Sequence, residues 1–149
     1  MRAVVQRISR GQVTVAGKSV GKVGAGLLVY AAARPDDEPE DIRYIADKTA
    51  FLRIFPDEDG KMNRSVLDAD GAILLVSAFT VHADARRGRR PSFDRSAAAD
   101  VAEPLILKLA EGLRAHGLKV EAGRFATHML VESINDGPVC VLLDSRGGL

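Results

Sequence analysis

The sequence predicts a mixed α/β domain of two packed, mostly antiparallel β-sheets, barrel-like, with two helices on one outer face. Three observations carry that prediction. About eight short runs rich in Val, Ile, Leu and Thr are separated by Gly, Pro, Asn and Asp. Only two segments place apolar residues at helical spacing. Two helices cannot cover both faces of so many strands, so the sheets must cover one another. A chain of 149 residues with 46% hydrophobic content is the size of one domain, residues 1–149, and can bury roughly 70% of its unfolded surface.

From the N-terminus, RAVVQRI (2–8) and QVTVAG (12–17) read as two short strands, KSVGKV (18–23) as a third and GLLVYAA (26–32) as a buried fourth. GKVGAG (21–26) has the glycines of a phosphate loop, but it precedes a strand instead of opening a helix and is read as a turn. After the polar RPDDEPED (34–41), a helix is expected from about Glu40 to Leu52. Ile42, Ile45, Ala46 and Thr49 share one face, and acidic residues crowd its start, where the macrodipole favours them. RIF (53–55) extends toward a strand, and PDEDGKMNRSVLDADG (56–71) reads as an irregular loop with Asp-Gly turns. AILLVSAF (72–79) is a strand too apolar to have a solvent face.

The second helix is expected from Ala98 or Asp100 to His116, with Ala102, Ile106, Leu109 and Leu113 as its buried stripe. Pro104 is accepted as lying near the first turn, and Gly117 stops the helix. KVEAG (119–123), MLVESIN (129–135) and VCVLLD (139–144) close the chain as strands, and SRGGL (145–149) reads as a frayed tail. So much apolar strand with so little helical cover leaves a face that a second copy would bury, and a symmetric homodimer is expected.

Composition excludes several classes. No apolar stretch approaches the ~18–20 residues of a membrane span, and MRAVVQRISR breaks into charge too early for a signal peptide. A soluble, intracellular protein is expected. Cys140 is the only cysteine, which rules out an internal disulfide and a cysteine-based zinc site. A net charge of +1 says little, but RRGRRPSFDR (86–95) sets five Arg against one Asp, a local field suited to phosphates.

Two stretches hold candidate chemistry. In SAFTVHADARRGRRPSF (77–93) a strand ends in small and hydroxylic residues just before the arginines, so backbone amides at a strand end meet a phosphate-attracting surface. The plainer reading is a polar strand end leading into a solvated loop. In MLVESINDGPVCVLLD (129–144) a turn-forming Asn-Asp-Gly-Pro interrupts two apolar runs, and Pro138 has no N–H to give where a ladder should begin. His82 reads as a loop histidine, His116 as a helix C-terminal residue and His128 as structural. No nucleophile elbow or Ser-His-Asp pattern is present.

Taken together, VVQRISRGQVTV (4–15), GLLVYAA, LRIF (52–55), DGKMN (59–63), SAFTVHADARRGRRPSF, GRFATHM (123–129) and NDGPV (135–139) resemble the D-aminoacyl-tRNA deacylases along essentially the whole chain. The resemblance implies a cytoplasmic homodimer, without metal or cofactor, that hydrolyses the ester joining a D-amino acid to the terminal adenosine of tRNA and also removes mischarged glycine. It implies a cis Gly137-Pro138 element that enters the partner's site and excludes an L side chain, with Arg7 orienting it. It places the hydrolytic centre at Ser77, Ala78, Phe79 and Thr80, where main-chain amides polarise the ester and the ribose 2′-hydroxyl assists water. Phe79 and Met129 would line the adenosine pocket, and Arg86, Arg87, Arg89 and Arg90 would meet phosphates.

Two residues depart from the family pattern. Ala78 stands where a Gln is usual, which opens the alternatives of altered selectivity or a weakened tRNA-end-binding protein. Cys140 stands where a Thr is usual and reads as a core residue.

Overall fold

The computed structural model describes residues 1–148. The elements are β1 (Arg2–Val15), β2 (Lys18–Val23), β3 (Gly26–Ala32), α1 (Pro39–Phe51), β4 (Phe55–Pro56), β5 (Met62–Arg64), β6 (Ala72–Ser77), a 3₁₀ turn (Phe79–His82), α2 (Ala99–Ala115), β7 (Val120–Ala122) and β8 (Leu130–Asp144). The sheet is single and mixed, in the order β2-β1-β3-β6-β7 with β8 on β1, and β4 and β5 form a separate two-stranded ribbon. This corrects the expectation of two packed sheets. The strands instead curl into a nearly closed barrel.

β1 is the hub. It pairs antiparallel with β3 from Arg2↔Ala32 to Ile8↔Gly26, and with β2 from Gly11↔Val23 to Val15↔Lys18. β8 runs antiparallel along nearly all of β1, from Arg2↔Asp144 to Thr14↔Leu130. β3 pairs parallel with β6, and β6 with β7. RAVVQRI and QVTVAG are therefore one strand, because the β8 ladder, irregular at Ser9, resumes at Arg10↔Ile134. Gly11 permits the curl: a Cβ there would lie 3.0 Å from both Ile8 Cδ1 and Leu74 Cδ2. Across the gap, a Cβ at Gly21 would lie 2.9 Å from the Ala122 carbonyl, which brings β2 against β7.

The curl makes two cores. Inside it, Ile8, Val13, Val23, Leu28, Leu74 and Val76 pack together. On the other face, Leu27, Val29, Ile73 and Leu75 meet Ile42, Ile45, Ala46, Ile106, Leu109 and Leu113 of the helices. That is why β3 and β6 read as continuously apolar: neither has a solvent face. Both helices lie on one outer face, as expected. Pro104 lies inside α2 beyond its first turn, a correction to the sequence reading.

MLVESIN and VCVLLD are also one strand. Gln6 pairs with Cys140 and Ile8 with Asn135, so a single β1 residue, Arg7, stands opposite the four residues 136–139. The Asn-Asp-Gly-Pro segment is a bulge in a strand, where two runs flanking such residues would ordinarily mark a hairpin. The tail is corrected too. Ser145 N donates to the Met1 carbonyl at 3.0 Å, and Arg146 Nη2 reaches Asp41 Oδ2 at 3.0 Å, so residues 145 and 146 are tied down. Leu149 lies outside the described residues.

Candidate active site

A pocket of about 650 Å³ opens at the C-terminal ends of the parallel strands β3 and β6. Ala31–Ala33 and Ser77–Thr80 form its floor, the first turns of α2 one wall, and residues 125–129 with Val131 the other. Strand ends of parallel sheets are where backbone groups come free of the ladder and can face a ligand. Ser77, Ala78, Phe79, Thr80 and Met129 are thus brought together, as the sequence reading expected. Gly123 makes room for Met129, whose sulfur lies only 2.6 Å from where a Cβ would sit.

The chain turns sharply after Ser77. Ala78 N still donates to the Ala31 carbonyl at 2.9 Å, and Val81 N then closes onto Ala78 O at 3.0 Å. Between them the amides of Phe79 and Thr80 have no backbone acceptor among the described residues. His82 fixes the far end of the turn. It is fully buried, with Nε2 at 3.1 Å from the Ala32 carbonyl and Nδ1 without a partner. The sequence reading of His82 as a loop histidine is therefore corrected, and burial lowers its pKa from the usual histidine value.

The pocket wall is short of charge. Tyr30 and His128 are its titratable side chains, and no carboxylate, Lys or Arg lines it among the described residues. Burial pushes the Tyr30 phenol upward, which keeps it neutral. His128 is exposed on the wall, where a structural role was expected. Phe79 is 58% exposed at the mouth, stacked edge-on against Phe93 at 5.2 Å, and its carbonyl accepts from Ser96 Oγ at 2.8 Å.

Phe93 ties the arginine loop to this mouth. Asp84 and Ser92 exchange backbone bonds of 2.8 and 2.9 Å, closing residues 85–91 into a projecting loop. Arg86 is committed to Asp84, whose carboxyl it holds well below the usual range. Arg87, Arg89 and Arg90 are exposed and pair with no carboxylate among the described residues.

Gly137, Pro138 and Arg7 do not border the pocket of their own chain. They form a second cluster, in which Gly137-Pro138 is cis and exposed. Asn135 closes the neck of the bulge, accepting from Val139 N at 2.8 Å and donating to Val139 O at 3.2 Å. Arg7 Nε donates to Asp136 O at 2.8 Å, and Nη1 donates to Ile54 O. Cys140 is exposed on β8 and is not the core residue expected.

Comparison with known proteins places this arrangement. A family model described as D-Tyr-tRNA(Tyr) deacylase matches residues 4–144. A protein of Symbiobacterium thermophilum named D-aminoacyl-tRNA deacylase is 55% identical over 98% of this chain and 97% of its own. One of the same name from Heliobacterium modesticaldum is 52% identical over 99% of each. Among solved structures, one titled c-Myc DNA Unwinding Element Binding Protein superposes with a TM-score of 0.91 at 34% identity, over 97% of this chain and 98% of its own. A probable eukaryotic D-amino acid tRNA deacylase shares the fold, with a TM-score of 0.82 at 21% identity over 96% and 98%. The chain is a hydrolase of the class that acts on aminoacyl-tRNA. It belongs to the D-Tyr-tRNA(Tyr) deacylase family.

Proposed function

We propose that this chain hydrolyses D-aminoacyl-tRNA in the cytoplasm, releasing the free D-amino acid and tRNA, and that it also clears glycine from mischarged tRNA. The observation that carries this reading is the strand-end pocket. It offers unbonded amides at Phe79 and Thr80, no carboxylate lines it, and neither the Ser77 nor the Thr80 hydroxyl is hydrogen-bonded to a base among the described residues. Such a site favours a reaction whose nucleophile is water and whose developing oxyanion is met by main-chain N–H groups, each worth ~100- to 1000-fold in rate. The water oxygen bonds to the ester carbon, the bond to the ribose oxygen breaks, and the water's proton passes to that departing oxygen. The neighbouring ribose 2′-hydroxyl assists the transfer. Phe79 and Met129 give the terminal adenosine an apolar seat, and Arg87, Arg89 and Arg90 meet phosphates.

Chiral selection on this reading needs a second copy. Along β8, Leu130, Ile134 and Leu142 are 60%, 47% and 55% exposed, apolar surface that a homodimer would bury. The Gly137-Pro138 bulge rises from the same strand, so pairing through this face carries it toward the partner's pocket. Its backbone carbonyls then receive the substrate's α-amino group and leave no space for an L side chain, a filter that glycine passes because it has none. Ala78 trims the pocket beside the aminoacyl group and favours a second reading in which selectivity among amino acids is altered. Release of D-Tyr, L-Tyr and Gly from charged tRNA tests both readings, and light scattering that finds a monomer would remove the dimer.

A further inference from the structure

A second basic pocket, of about 390 Å³, is lined by Arg2, Arg34, Arg95 and Arg146, with Pro35, Asp36 and Gly148. We propose that it binds a backbone phosphate of the RNA strand that ends in the scissile ester, an inference that rests on the aminoacyl-tRNA reading above.

Three of its guanidinium groups are held in place from below. Arg2 Nε and Arg34 Nη2 donate to the same carboxylate oxygen of Asp144, at 2.6 and 2.8 Å, and that side chain is fully buried beneath them. Arg146 is braced by Asp36 and by Asp41 at 3.0 Å. Arginines fixed in this way have already lost the rotamer freedom that an anion would otherwise have to remove. The pairing leaves donors over: Arg2 Nη1 and Arg34 Nη1 have no acceptor among the described residues.

The charge count is also incomplete. Among the described residues, the cluster of Arg2, Arg34, Arg95, Arg146 and the Met1 ammonium with Asp36, Asp37, Asp41 and Asp144 holds five positive groups and four negative ones. Met1 is paired with Asp37, so the surplus falls on Arg95, which is exposed and bonds to no side chain among the described residues. A cluster of forked donors with net positive charge is the chemistry that recognises a phosphate.

Position supplies the second argument. Ala33 borders the active pocket and Arg34, the next residue, borders the basic one. Ala97 also borders the active pocket and is bonded to Ala33 O at 2.9 Å, while Arg95 stands two residues before it in the chain. Neighbouring Cα atoms are only ~3.8 Å apart, so the linings of the two pockets adjoin in the chain at Ala33-Arg34 and come within two residues at Arg95 and Ala97. On this proposal, an RNA strand that leaves the active pocket past Ala33 and Ala97 meets these arginines.

The test compares the intact protein with Arg95→Gln, a change that removes no bond on which the fold depends. Fluorescence anisotropy follows binding of an uncharged acceptor-stem hairpin with a single-stranded 3′ end, as a function of salt. The expected result is binding weakened about tenfold, with the log-log salt slope reduced by roughly 0.7 for one single-stranded phosphate. Unchanged affinity and slope would overturn the proposal. It would equally be overturned if inorganic phosphate alone raised the melting temperature of the intact protein but not of Arg95→Gln while hairpin binding stayed the same, since the ligand would then be a free anion. Binding of uncharged RNA needs no turnover, so a lack of deacylase activity would sink the functional reading and leave this result standing.

Discussion

Arg7 Nε donates to the Asp136 carbonyl at 2.8 Å, from the one β1 position that faces the four-residue bulge of β8. With its other arm on Ile54 O, this side chain joins the Gly-Pro bulge to the segment that follows α1. Gly137 is suited to the place: at φ +149 its absent Cβ would come within 2.7 Å of Val139 Cγ2 and 3.3 Å of Arg7 Nη2.

Replacing Arg7 with Met leaves both carbonyls without their charged donor. Stability is expected to fall by about 2 kcal/mol, read by urea denaturation. Hydrolysis of D-Tyr-tRNA should fall at least about tenfold as the bulge loses its aim, and Arg7→Lys should not restore it, because an ammonium cannot span two acceptors as a planar fork does. Full activity in Arg7→Met would separate this cluster from the reaction.

The chemistry at the strand end is expected to survive loss of its hydroxyls. Ser77→Ala and Thr80→Val should each keep measurable hydrolysis, whereas tRNA ending in 2′-deoxyadenosine should react ~100-fold more slowly or worse. An acyl-enzyme trapped on Thr80 in single-turnover experiments would contradict the absence of a side-chain nucleophile.

His82 gives the fold a pH dependence with a definite sign. Its native pKa lies below the ordinary value of 6.5 because burial disfavours the imidazolium. The unfolded chain therefore binds the proton first as pH falls. Stability is full above about pH 6.5 and declines from there as pH drops through the native pKa. Melting temperatures of the intact protein and of His82→Gln, measured from neutral to mildly acidic pH, should converge as that contribution disappears; parallel curves would contradict it.

The projecting loop should act through charge alone. Replacing Arg87, Arg89 and Arg90 with Gln is expected to flatten the salt dependence of tRNA binding by roughly 0.7 per single-stranded phosphate released, without changing the D-to-L preference. Arg86, already committed to Asp84, should contribute least. An unchanged slope would make the loop a solvated surface.

Much of this was legible in the residues. GLLVYAA, AILLVS and the Ala102-Ile106-Leu109-Leu113 stripe are strong patterns because burial on two faces, or along one stripe, leaves little freedom of composition. β1 and β8 were not legible as single strands, since Ser9-Arg10-Gly11 and Asn135 to Pro138 interrupt them locally, and only their pairing with each other, resumed beyond each irregularity, joins the halves. The same pairing turned an apparent hairpin into a bulge. Residues 77–80 and Met129, singled out by their resemblance, line one pocket. His82 and His128 were misplaced, because a lone histidine has no periodicity to reveal whether it is buried. The Asp144 network and the pinned tail were missed because the chain ends meet only in three dimensions.

The central claim is that this pocket hydrolyses the ester of a D-aminoacyl group and rejects its mirror image. The most direct test is the release of labelled amino acid from D-Tyr-tRNA and L-Tyr-tRNA by the intact protein under identical conditions. Rapid deacylation of the D form, with the L form left at its uncatalysed rate, is the expected result. Equal rates on both forms, or no release from the D form at enzyme concentrations that bind the tRNA, would contradict it.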